Sequence, residues 1–361
     1  MAKKLSVAVI GLGGFGRLTL RALLESDLTD VVGVADRNPR VVEEAADSLG
    51  LAAYTDNRLL LVEKRPQAVY LAVPPMAAPD LVEQCAKFGI HVWKEQPLGR
   101  NLEEALAMVR RMEKAKLKLA VGTQRRFAVG YRRAWEIRPR LGRMFLGRSH
   151  YLFNWGPSLS WRGDRASAGG GALLELGYHL IDLLVWMLGL PESVYGISAC
   201  GNRPEDTDDS GEPLPIYDTD DTSAAVLHYA GGCVASVVTT RSSGPISEEL
   251  SLHGRGGSLT ASGERCILRD PDGNVLDHIQ DNSPPLALFR RQADAFARAV
   301  LTNAKTYECS GRENLLNAAV IDALYLSGRT SHPEDPQHLL RARRVTVDYC
   351  LRYRPPDQVS P

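Results

Sequence analysis

Three titratable side chains in the middle of the chain have the types and the spacing for proton-transfer chemistry. Glu175, His179 and Asp182 stand at positions i, i+4 and i+7, which places them on one face of a predicted helix. A carboxylate one turn from an imidazole can orient the ring and raise its basicity near neutral pH. The same spacing also suits a helix whose acids simply face water, so the pattern alone leaves both interpretations open.

The start of the chain carries a second chemistry-bearing pattern, Gly11-Leu12-Gly13-Gly14-Phe15-Gly16, between a strand-like run and a helix-like segment. In that setting Gly11 permits a tight turn, Gly13 lets the backbone approach a pyrophosphate, and Gly16 permits close helix-to-strand packing. The helix N-terminus offers unpaired N–H groups to phosphates. The pattern therefore predicts a binding site for a dinucleotide.

An acidic residue closes the next predicted strand and bears on the choice of nucleotide. Asp36 lies about 20 residues beyond the last glycine of the pattern, where a carboxylate accepts hydrogen bonds from ribose hydroxyls and repels a 2′-phosphate. This placement predicts NAD as the cofactor. Arg37 beside it could accommodate the extra phosphate, so NADP stays open.

The first 123 residues alternate short apolar runs with longer amphipathic ones, which predicts an α/β unit with a doubly wound parallel sheet. The predicted strands are Leu5–Ile10, Val31–Ala35, Ala68–Val73, His91–Lys94 and Lys118–Val121. The predicted helices are Arg17–Glu25, Val41–Ser48, Pro79–Phe88 and Leu102–Lys114. Ligands of such sheets bind beyond the carboxyl ends of the strands. We therefore expect the loop residues Val73, Pro74, Pro75, Glu95 and Gln96 to contact the cofactor.

Residues 124–361 have a different character and predict an α+β unit with an open, mostly antiparallel sheet. The predicted strands are Met144–Asn154, Val194–Gly201, Thr222–Ala230, Cys233–Arg241, Glu249–Gly254, Gly257–Ala261 and Cys266–Arg269. Turn signals at Ala230–Cys233 and Arg255–Gly257 predict hairpins. The predicted helices are Leu173–Leu188, Leu286–Leu301 and Arg312–Ser327. A tail, 331–361, contains one strand-like piece, Arg344–Cys350.

Composition excludes several classes of partner. Lys plus Arg and Asp plus Glu both number 43 in the 361 residues, so the net charge of zero gives no support for a nucleic-acid or membrane-surface partner. Six scattered cysteines suit reduced thiols in a cytoplasmic protein. No run reaches the ~18 apolar residues of a membrane span. The acidic run Glu205, Asp206, Asp208 and Asp209 is predicted as a solvated surface loop, and no metal site is expected.

The motifs together resemble the glucose-fructose oxidoreductase / inositol dehydrogenase / MocA (Gfo/Idh/MocA) family. The matching segments are Gly11–Gly16 with Asp36, Glu95–Pro97, Arg125–Phe127, Trp161-Arg162, Gly169–Gly171, Gly177–His179, Asp220–Thr222 and Asn314–Ser327. They occur in family order over nearly the whole chain. The resemblance implies an N-terminal Rossmann domain over 1–123, a substrate-binding and oligomerisation domain over 124–361, and a homodimer or homotetramer formed through the open sheet.

The resemblance also implies an activity and a set of site residues. The activity is NAD(P)-dependent hydride transfer between nicotinamide and a carbon of a sugar, cyclitol or similar polyol. His179, oriented by Glu175, would take the hydroxyl proton. The candidate substrate contacts by family position are Arg126, Trp161, Arg162, Tyr178 and Asp182. Packing between the domains is an equally good interpretation of Arg126 and of Trp161-Arg162.

Departures from the family pattern keep a second function open. The family usually has Glu-Lys-Pro where this chain has Glu95-Gln96-Pro97, and an amide cannot carry a proton. Lys94 lies two positions before Gln96 and could substitute for the missing lysine if both side chains face the same way. Pro79 also stands near a usual family histidine, and Glu175 replaces the commoner Asp. The alternative is a family member that binds the dinucleotide without simple turnover, as a regulator or an NAD-retaining glycosidase.

Overall fold

The computed structural model describes residues 3–156, 158–201, 211 and 217–352 of the chain. The acidic run at Glu205, Asp206, Asp208 and Asp209, predicted as a solvated loop, lies outside these described residues. Two β-sheets carry the architecture of the described part, one with six strands and one with eight.

The first sheet is parallel throughout, as the alternating pattern predicts. Its strands are β1 Leu5–Ile10, β2 Thr29–Ala35, β3 Ala53–Tyr54, β4 Ala68–Leu71, β5 His91–Lys94 and β6 Leu119–Val121. They pair in the order β3-β2-β1-β4-β5-β6, all parallel. The order reverses between β1 and β4, which opens a crevice beyond the carboxyl ends of those strands.

Five helices connect the strands of this sheet. They are α1 Gly14–Glu25, α2 Pro39–Leu49, α3 Asn57–Lys64, α4 Ala78–Phe88 and α5 Leu102–Lys114. The side chains of Asn38, Asp56 and Asn101 accept hydrogen bonds from first-turn N–H groups of α2, α3 and α5. Helix α1 follows Gly13 and has no side-chain cap, so its first-turn donors remain available to a ligand.

The second sheet is mixed and mostly antiparallel, which confirms the predicted class. Its strands are β7 Met144–Asn154, β8 Ser193–Ala199, β9 Thr222–His228, β10 Val234–Thr240, β11 Ser242–Gly254, β12 Gly257–Ala261, β13 Arg265–Arg269 and β14 Val275–Gln280. The order is β14-β13-β12-β11-β7-β10-β9-β8. Only β7 and β10 pair in parallel among these strands of the described chain. The two predicted hairpins join β9 to β10 and β11 to β12.

Eight further helices surround this second sheet and return to the first. They are α6 Val129–Ile137, α7 Arg165–Ala168, α8 Ala172–Glu175, α9 Gly177–Leu188, α10 Leu286–Leu301, α11 Gly311–Thr330, α12 Pro336–Ala342 and α13 Val347–Leu351. Helix α9 is buried on almost every side, as its uniformly apolar sequence requires. It contacts β7 and β10, and Trp186 stacks on Trp135 with ring centroids 5.4 Å apart. It therefore holds the segment before it in a fixed place.

Two predicted elements are wrong in form. The single helix Leu173–Leu188 is broken at Leu176 into α8 and α9, which changes the direction of Glu175 relative to the later turns. The strand-like piece Arg344–Cys350 instead contributes to α13, which Thr346 caps through the N–H of Tyr349. Both errors have one cause, because short apolar runs do not distinguish strand from helix or a bent helix from a straight one.

Helix α10 complicates the division of the chain at residue 123. It packs on α1, and Ala293, Phe296 and Ala297 share a buried apolar cluster with Leu20 and Leu23. A late segment thus completes the core of the first sheet. The division into 1–123 and 124–361 remains a prediction.

Among the described residues, no single helix is both long enough and apolar enough to cross a membrane. The segments Arg165–Glu175 and Gly177–Leu188 meet the length and composition test only as a pair bent by 53°.

Candidate active site

The glycine turn after β1 is shaped by backbone contacts. Gly11 has φ +93°, and a Cβ there would lie 2.3 Å from the Ala72 carbonyl oxygen. A Cβ on Gly16 would lie 1.9 Å from the Gly11 oxygen. A Cβ on Gly13 or Gly14 would meet nothing within 4 Å, because both residues border open space. The first two positions therefore require glycine for packing, and the other two leave a cradle free.

Asp36 at the end of β2 braces this turn. Its Oδ2 accepts a hydrogen bond from Leu12 N at 2.7 Å, and its Oδ1 accepts one from Asn38 N at 2.9 Å. Each carboxylate oxygen keeps a lone pair for a ribose hydroxyl. Arg37 is exposed, and neither Asp36 nor Arg37 lines the cavity described next.

A cavity of about 530 Å³ lies between the glycine turn and the segment that leads from β7 to α9. The predicted site residues that line it are Gly13, Gly14, Phe15, Gly16, Val73, Pro74, Pro75, Glu95, Gln96, Trp161, Arg162, Glu175 and His179. Residues from the two halves of the sequence thus meet around one space. Gly11, Asp36 and Arg37 stand behind the turn.

His179 lies on α9 in the cavity wall. It is 5% exposed, and its Nδ1 is buried without a hydrogen-bond partner among the described residues. Burial lowers the pKa of His179 well below 6.5, and the nearby Arg125 guanidinium lowers it further. The imidazole is therefore neutral at pH 7. Its Nε2, which is not among the enclosed unpartnered atoms, is the nitrogen open to a ligand.

Glu175 does not orient His179 in the way the helical spacing predicts. Its Oε1 accepts a hydrogen bond from Arg162 Nε at 2.6 Å, and no hydrogen bond joins it to the imidazole. The break at Leu176 is the physical reason, because i and i+4 positions face each other only along a continuous helix. Burial raises the pKa of Glu175, against the lowering effects of Arg162 and Arg241.

Gln96 and Lys94 have different environments, although the sequence places them two residues apart. Gln96 lines the cavity, donates from Nε2 to the Glu175 carbonyl oxygen at 3.1 Å, and leaves Oε1 buried without a partner among described residues. Lys94 is buried outside the lining, and its Nζ donates to the carbonyls of Glu95 and Pro97. Burial lowers the pKa of Lys94 to about 8. Lys94 therefore holds the loop and does not replace a lysine at position 96.

Glu95 forms the cavity wall on the glycine-turn side. Its Oε1 accepts a hydrogen bond from the Tyr70 hydroxyl, which in turn accepts one from Thr19 Oγ1 at 3.1 Å. A Cβ on Gly122 would lie 2.8 Å from both Glu95 carboxyl oxygens, so glycine there leaves room for the carboxyl. Burial raises the pKa of Glu95 to about 7, although the Tyr70 hydrogen bond and Lys94 lower it.

Three predicted substrate residues lie beneath the cavity and not in its lining. Arg126 donates to both oxygens of Asp182 at 2.8 and 2.7 Å and to Glu313 at 2.6 Å, all fully buried. The Tyr178 hydroxyl donates to Asn314 Oδ1 at 2.9 Å. Asp182 faces this cluster because i+7 on a buried helix points into the protein. These residues join α9 to α11 and do not reach a substrate.

The cavity also contains residues that the sequence analysis did not assign to the site, although Pro97 and Gly170 lie in its matching segments. They are Leu18, Ala72, Pro97, Gln124, Trp155, Ala168, Gly170 and Leu174. Gln124 follows β6, so the rule that ligands meet the carboxyl ends of strands could have found it. Trp155 comes after β7 with no local motif. Its Nε1 and the Oε1 of Gln124 are buried without partners among the described residues.

The lining fits a dinucleotide at one end and a hydroxylated ligand at the other. Gly13 and Gly14 leave a side-chain-free cradle at the uncapped start of α1, which suits a pyrophosphate. Unpartnered polar atoms of Gln96, Gln124 and His179 border the remaining space. Buried polar atoms normally have partners, so these atoms indicate ligand contacts. Among the described residues, no group of three or more His, Cys, Asp or Glu could hold a metal ion.

Comparisons with known proteins find relatives in sequence and a solved structure with the same fold. Levoglucosan dehydrogenase of Pseudarthrobacter phenanthrenivorans is 27% identical over 252 residues, which cover 64% of this chain and 65% of that relative. Myo-inositol 2-dehydrogenase of Thermotoga maritima is 25% identical over 278 residues, 74% of this chain and 79% of the relative. A solved levoglucosan dehydrogenase, in complex with NADH and levoglucosan, superposes with a TM-score of 0.82 at 22% identity, covering 92% of this chain and 99% of that one.

Two family descriptions match the sequence. Residues 5–123 match the oxidoreductase family with an NAD-binding Rossmann fold, and residues 138–260 match the GFO/IDH/MocA C-terminal domain. The first matched range contains the glycine turn and the second contains His179, so both sides of the cavity lie in matched sequence. This chain belongs to the GFO/IDH/MocA family of NAD-binding oxidoreductases.

Proposed function

We propose that the protein is an NAD(P)-dependent dehydrogenase or reductase that acts on a CH–OH group of a sugar, cyclitol or similar polyol. The observation that carries this proposal is the shared cavity, in which the phosphate cradle and the neutral imidazole of His179 border one space. Relatives named for levoglucosan and myo-inositol support the substrate class.

Gly13, Gly14 and the uncapped start of α1 would hold a nicotinamide dinucleotide, which would supply the hydride-accepting group for oxidation of a carbinol carbon. His179 would accept the hydroxyl proton at Nε2, since burial keeps the ring neutral before the reaction, although the lowered pKa also makes it a weaker base than a free imidazole. Gln96 would hold a substrate or nicotinamide amide through its unpartnered Oε1 but would move no proton. The double bond that forms between carbon and oxygen leaves one proton on His179, which must later pass to solvent.

NAD is the proposed cofactor, with NADP as the competitor. Asp36 presents carboxylate oxygens that are already oriented by Leu12 N and Asn38 N, and a 2′-phosphate beside them would meet like charge. The exposed Arg37 is the group that could offset that repulsion.

A second candidate function is dinucleotide binding without simple dehydrogenase turnover, as in a regulator or an NAD-retaining glycosidase. Two observations favour it. Gln96 replaces the family lysine, and the Glu175 carboxylate is engaged by Arg162 and does not support the imidazole. A single general base commonly contributes ~10² to 10⁴ in rate, so a site with His179 alone could still turn over slowly.

The deciding experiment measures binding and turnover separately. Calorimetric titration with NAD and then NADP tests the cradle, and reduced-nicotinamide absorbance across a panel of polyols, inositols and sugars tests the reaction. Turnover that His179→Ala abolishes, while NAD affinity stays unchanged, supports the dehydrogenase. His338→Ala is the matched control, because His338 lies exposed on α12, away from the cavity. NAD binding without turnover across the panel supports the second candidate instead.

Gln96→Lys tests whether the amide limits the rate. A large rise in kcat would mean that the native site works without its family proton carrier, whereas no change would mean that His179 suffices. Gln337→Lys, on the exposed start of α12, controls for added charge.

We also propose a homodimer or homotetramer that packs through the outer face of the second sheet. Tyr195, Ile197, Val226 and Val238 lie on that face, and Ile197 is 60% exposed. Register pairs Tyr195 with Val226, and Ala224 pairs with both Ile197 and Val238, so these residues form one apolar patch. Light scattering after size exclusion should show that Ile197→Glu shifts the oligomer toward monomer. A wild-type monomer would refute this interface.

A cytoplasmic location is the last part of the proposal. No disulfide joins the six cysteines, and Cys200 is the exposed one among them, which suits a reducing compartment. Alkylation of the protein as isolated should therefore modify Cys200 without a prior reductant.

A further inference from the structure

Arg162 occupies an unusual position in the cavity wall, between two indole rings. Its guanidinium carbon lies 4.1 Å from the ring centroid of Trp155 and 4.4 Å from that of Trp161. Nε donates to Glu175 Oε1 at 2.6 Å. The two indole rings and the Glu175 carboxylate all contact the guanidinium, which restricts its movement.

The remaining edge of Arg162 is free. Neither Nη atom donates a hydrogen bond to any residue that the structure describes, although the side chain is only 21% exposed. Arg162, whose Nη atoms form this edge, is one of the residues that line the cavity. The two Nη atoms lie in one plane and can donate side by side to the two oxygens of a carboxylate. The separate hydroxyl groups of a sugar do not present two oxygens in that planar arrangement.

A second guanidinium lies near this edge. The single carboxylate that pairs with Arg162 among the described residues is Glu175; burial raises the pKa of Glu175, and Arg162 and the second guanidinium, that of Arg241, act to lower it. Arg241 is 2% exposed, donates to the carbonyls of Arg162 and Thr219, and forms no ion pair with a described residue. Glu175 thus faces two cations.

Two other carboxylates lie nearby, but their oxygens are committed to other donors. Asp220 accepts from the N–H groups of Gly171 and Leu173, and Asp221 accepts from Gly201 N and the Tyr217 hydroxyl. Neither lines the cavity. Of the donors in the lining on this side, the Nη atoms of Arg162 carry the positive charge, and the buried Nε1 of Trp155 is an uncharged donor without a partner among the described residues.

We propose that the substrate carries a carboxylate, as in a uronic or aldonic acid, and that this group binds the free Nη edge of Arg162. The proposal rests on the proposed dehydrogenase function and narrows its substrate class. The Trp155–Arg162–Trp161 stack has already ordered the guanidinium, so binding the acid costs little further side-chain entropy. A neutral sugar would leave the Nη donors without a charged partner.

The test compares matched acidic and neutral ligands on the NAD-loaded protein. The pairs are D-glucuronate with D-glucose, D-galacturonate with D-galactose, and D-gluconate with D-glucitol. Oxidation rates and calorimetric affinities should favour an acid over its neutral partner by about 100-fold, the size expected for charge-assisted hydrogen bonds. Arg162→Gln should remove that preference, mainly through KM, while NAD affinity and the melting temperature stay near wild type.

Glu175→Gln provides a second variant in case Arg162→Gln does not fold. It removes the neutralising carboxylate and keeps the guanidinium, so the preference for acids should persist or increase. Equal use of acidic and neutral members, or a preference that survives Arg162→Gln, overturns the carboxylate proposal and leaves the dehydrogenase intact. Acid binding without oxidation of any member supports the Arg162 site and counts against the dehydrogenase. NAD binding with no affinity for any acid overturns the Arg162 site.

Discussion

The carboxyl of Glu95 should make the stability of the protein depend on pH, and Glu95→Gln should remove that dependence. Burial raises its pKa in the folded protein to about 7 from an ordinary 4.5. The folded state therefore favours the protonated form. Its stabilising contribution is complete below pH 4.5 and is lost as the pH rises through 7.

The expected size follows from the same values. A rise in pKa from 4.5 to about 7 corresponds to about 3 kcal/mol between the protonation states. Glu95 borders the cavity, so solvent screens part of this energy. We expect the free energy of unfolding to fall by about 2 kcal/mol as the pH rises from 4.5 to 8. An amide has no proton to lose, so Glu95→Gln should gain about that much stability over wild type between pH 4.5 and 8.

Urea unfolding at pH 4.5, 6 and 8, followed by tryptophan fluorescence, measures this effect. Trp93 reports on the relevant sheet, because its ring lies 4.5 Å from that of Tyr70, the donor to Glu95. Glu103→Gln is the control, since it removes a carboxylate that is 73% exposed. Parallel pH profiles for wild type and Glu95→Gln would refute the assignment of a strongly perturbed carboxyl.

Further predictions concern the cradle and the buried ion pairs. Gly13→Val should weaken NAD binding by about 10- to 100-fold in calorimetry, because the added side chain fills open space and φ −66° already suits valine. The melting temperature of Gly13→Val should match that of Gly263→Val, a control away from the cavity, and unchanged NAD affinity would contradict the role of Gly13 in the cradle. Asp182→Ala should cost about 3 kcal/mol of unfolding free energy, since it removes one of the two carboxylates that pair with the buried Arg126. Glu103→Ala removes a carboxylate from an exposed ion pair and should cost under about 1 kcal/mol of unfolding free energy. Equal losses of stability in Asp182→Ala and Glu103→Ala would contradict the importance of burial.

The dinucleotide half of the site could be predicted from sequence because its signals are local. Strand β1 and the helix α10 occur with the predicted bounds, Leu5–Ile10 and Leu286–Leu301. The turn between β1 and α1 requires glycine at two positions. A Cβ on Gly16 would collide with the Gly11 carbonyl within the turn, and a Cβ on Gly11 would collide with the Ala72 carbonyl in the loop after β4. The residue types near this turn are enough to predict it, and the apolar periodicity predicts the strands and helices around it.

The substrate half could be predicted only in part, because its geometry depends on distant contacts. Glu175 and His179 line one cavity, but the break at Leu176 leaves Glu175 paired with Arg162 instead of His179. Which face of α9 points inward is decided by α11, whose Asn317 donates to Asp182 at 2.7 Å. Trp155 has no sequence signal at all, since it is placed by the end of β7.

The distribution of hydrogen bonds explains why proton transfer, if it occurs, falls to one side chain. Of the ionisable residues in the cavity lining, Glu95 is held by Tyr70, and Arg162 and Glu175 are held by each other. His179 alone among them has no hydrogen bond to a described residue, and its pKa keeps it unprotonated. With an amide at position 96, the proton released from a substrate hydroxyl has no other neutral base to reach. Activity that survived the loss of His179 would contradict this assignment and would point to Glu95, the carboxyl in the same lining whose pKa burial raises to about 7.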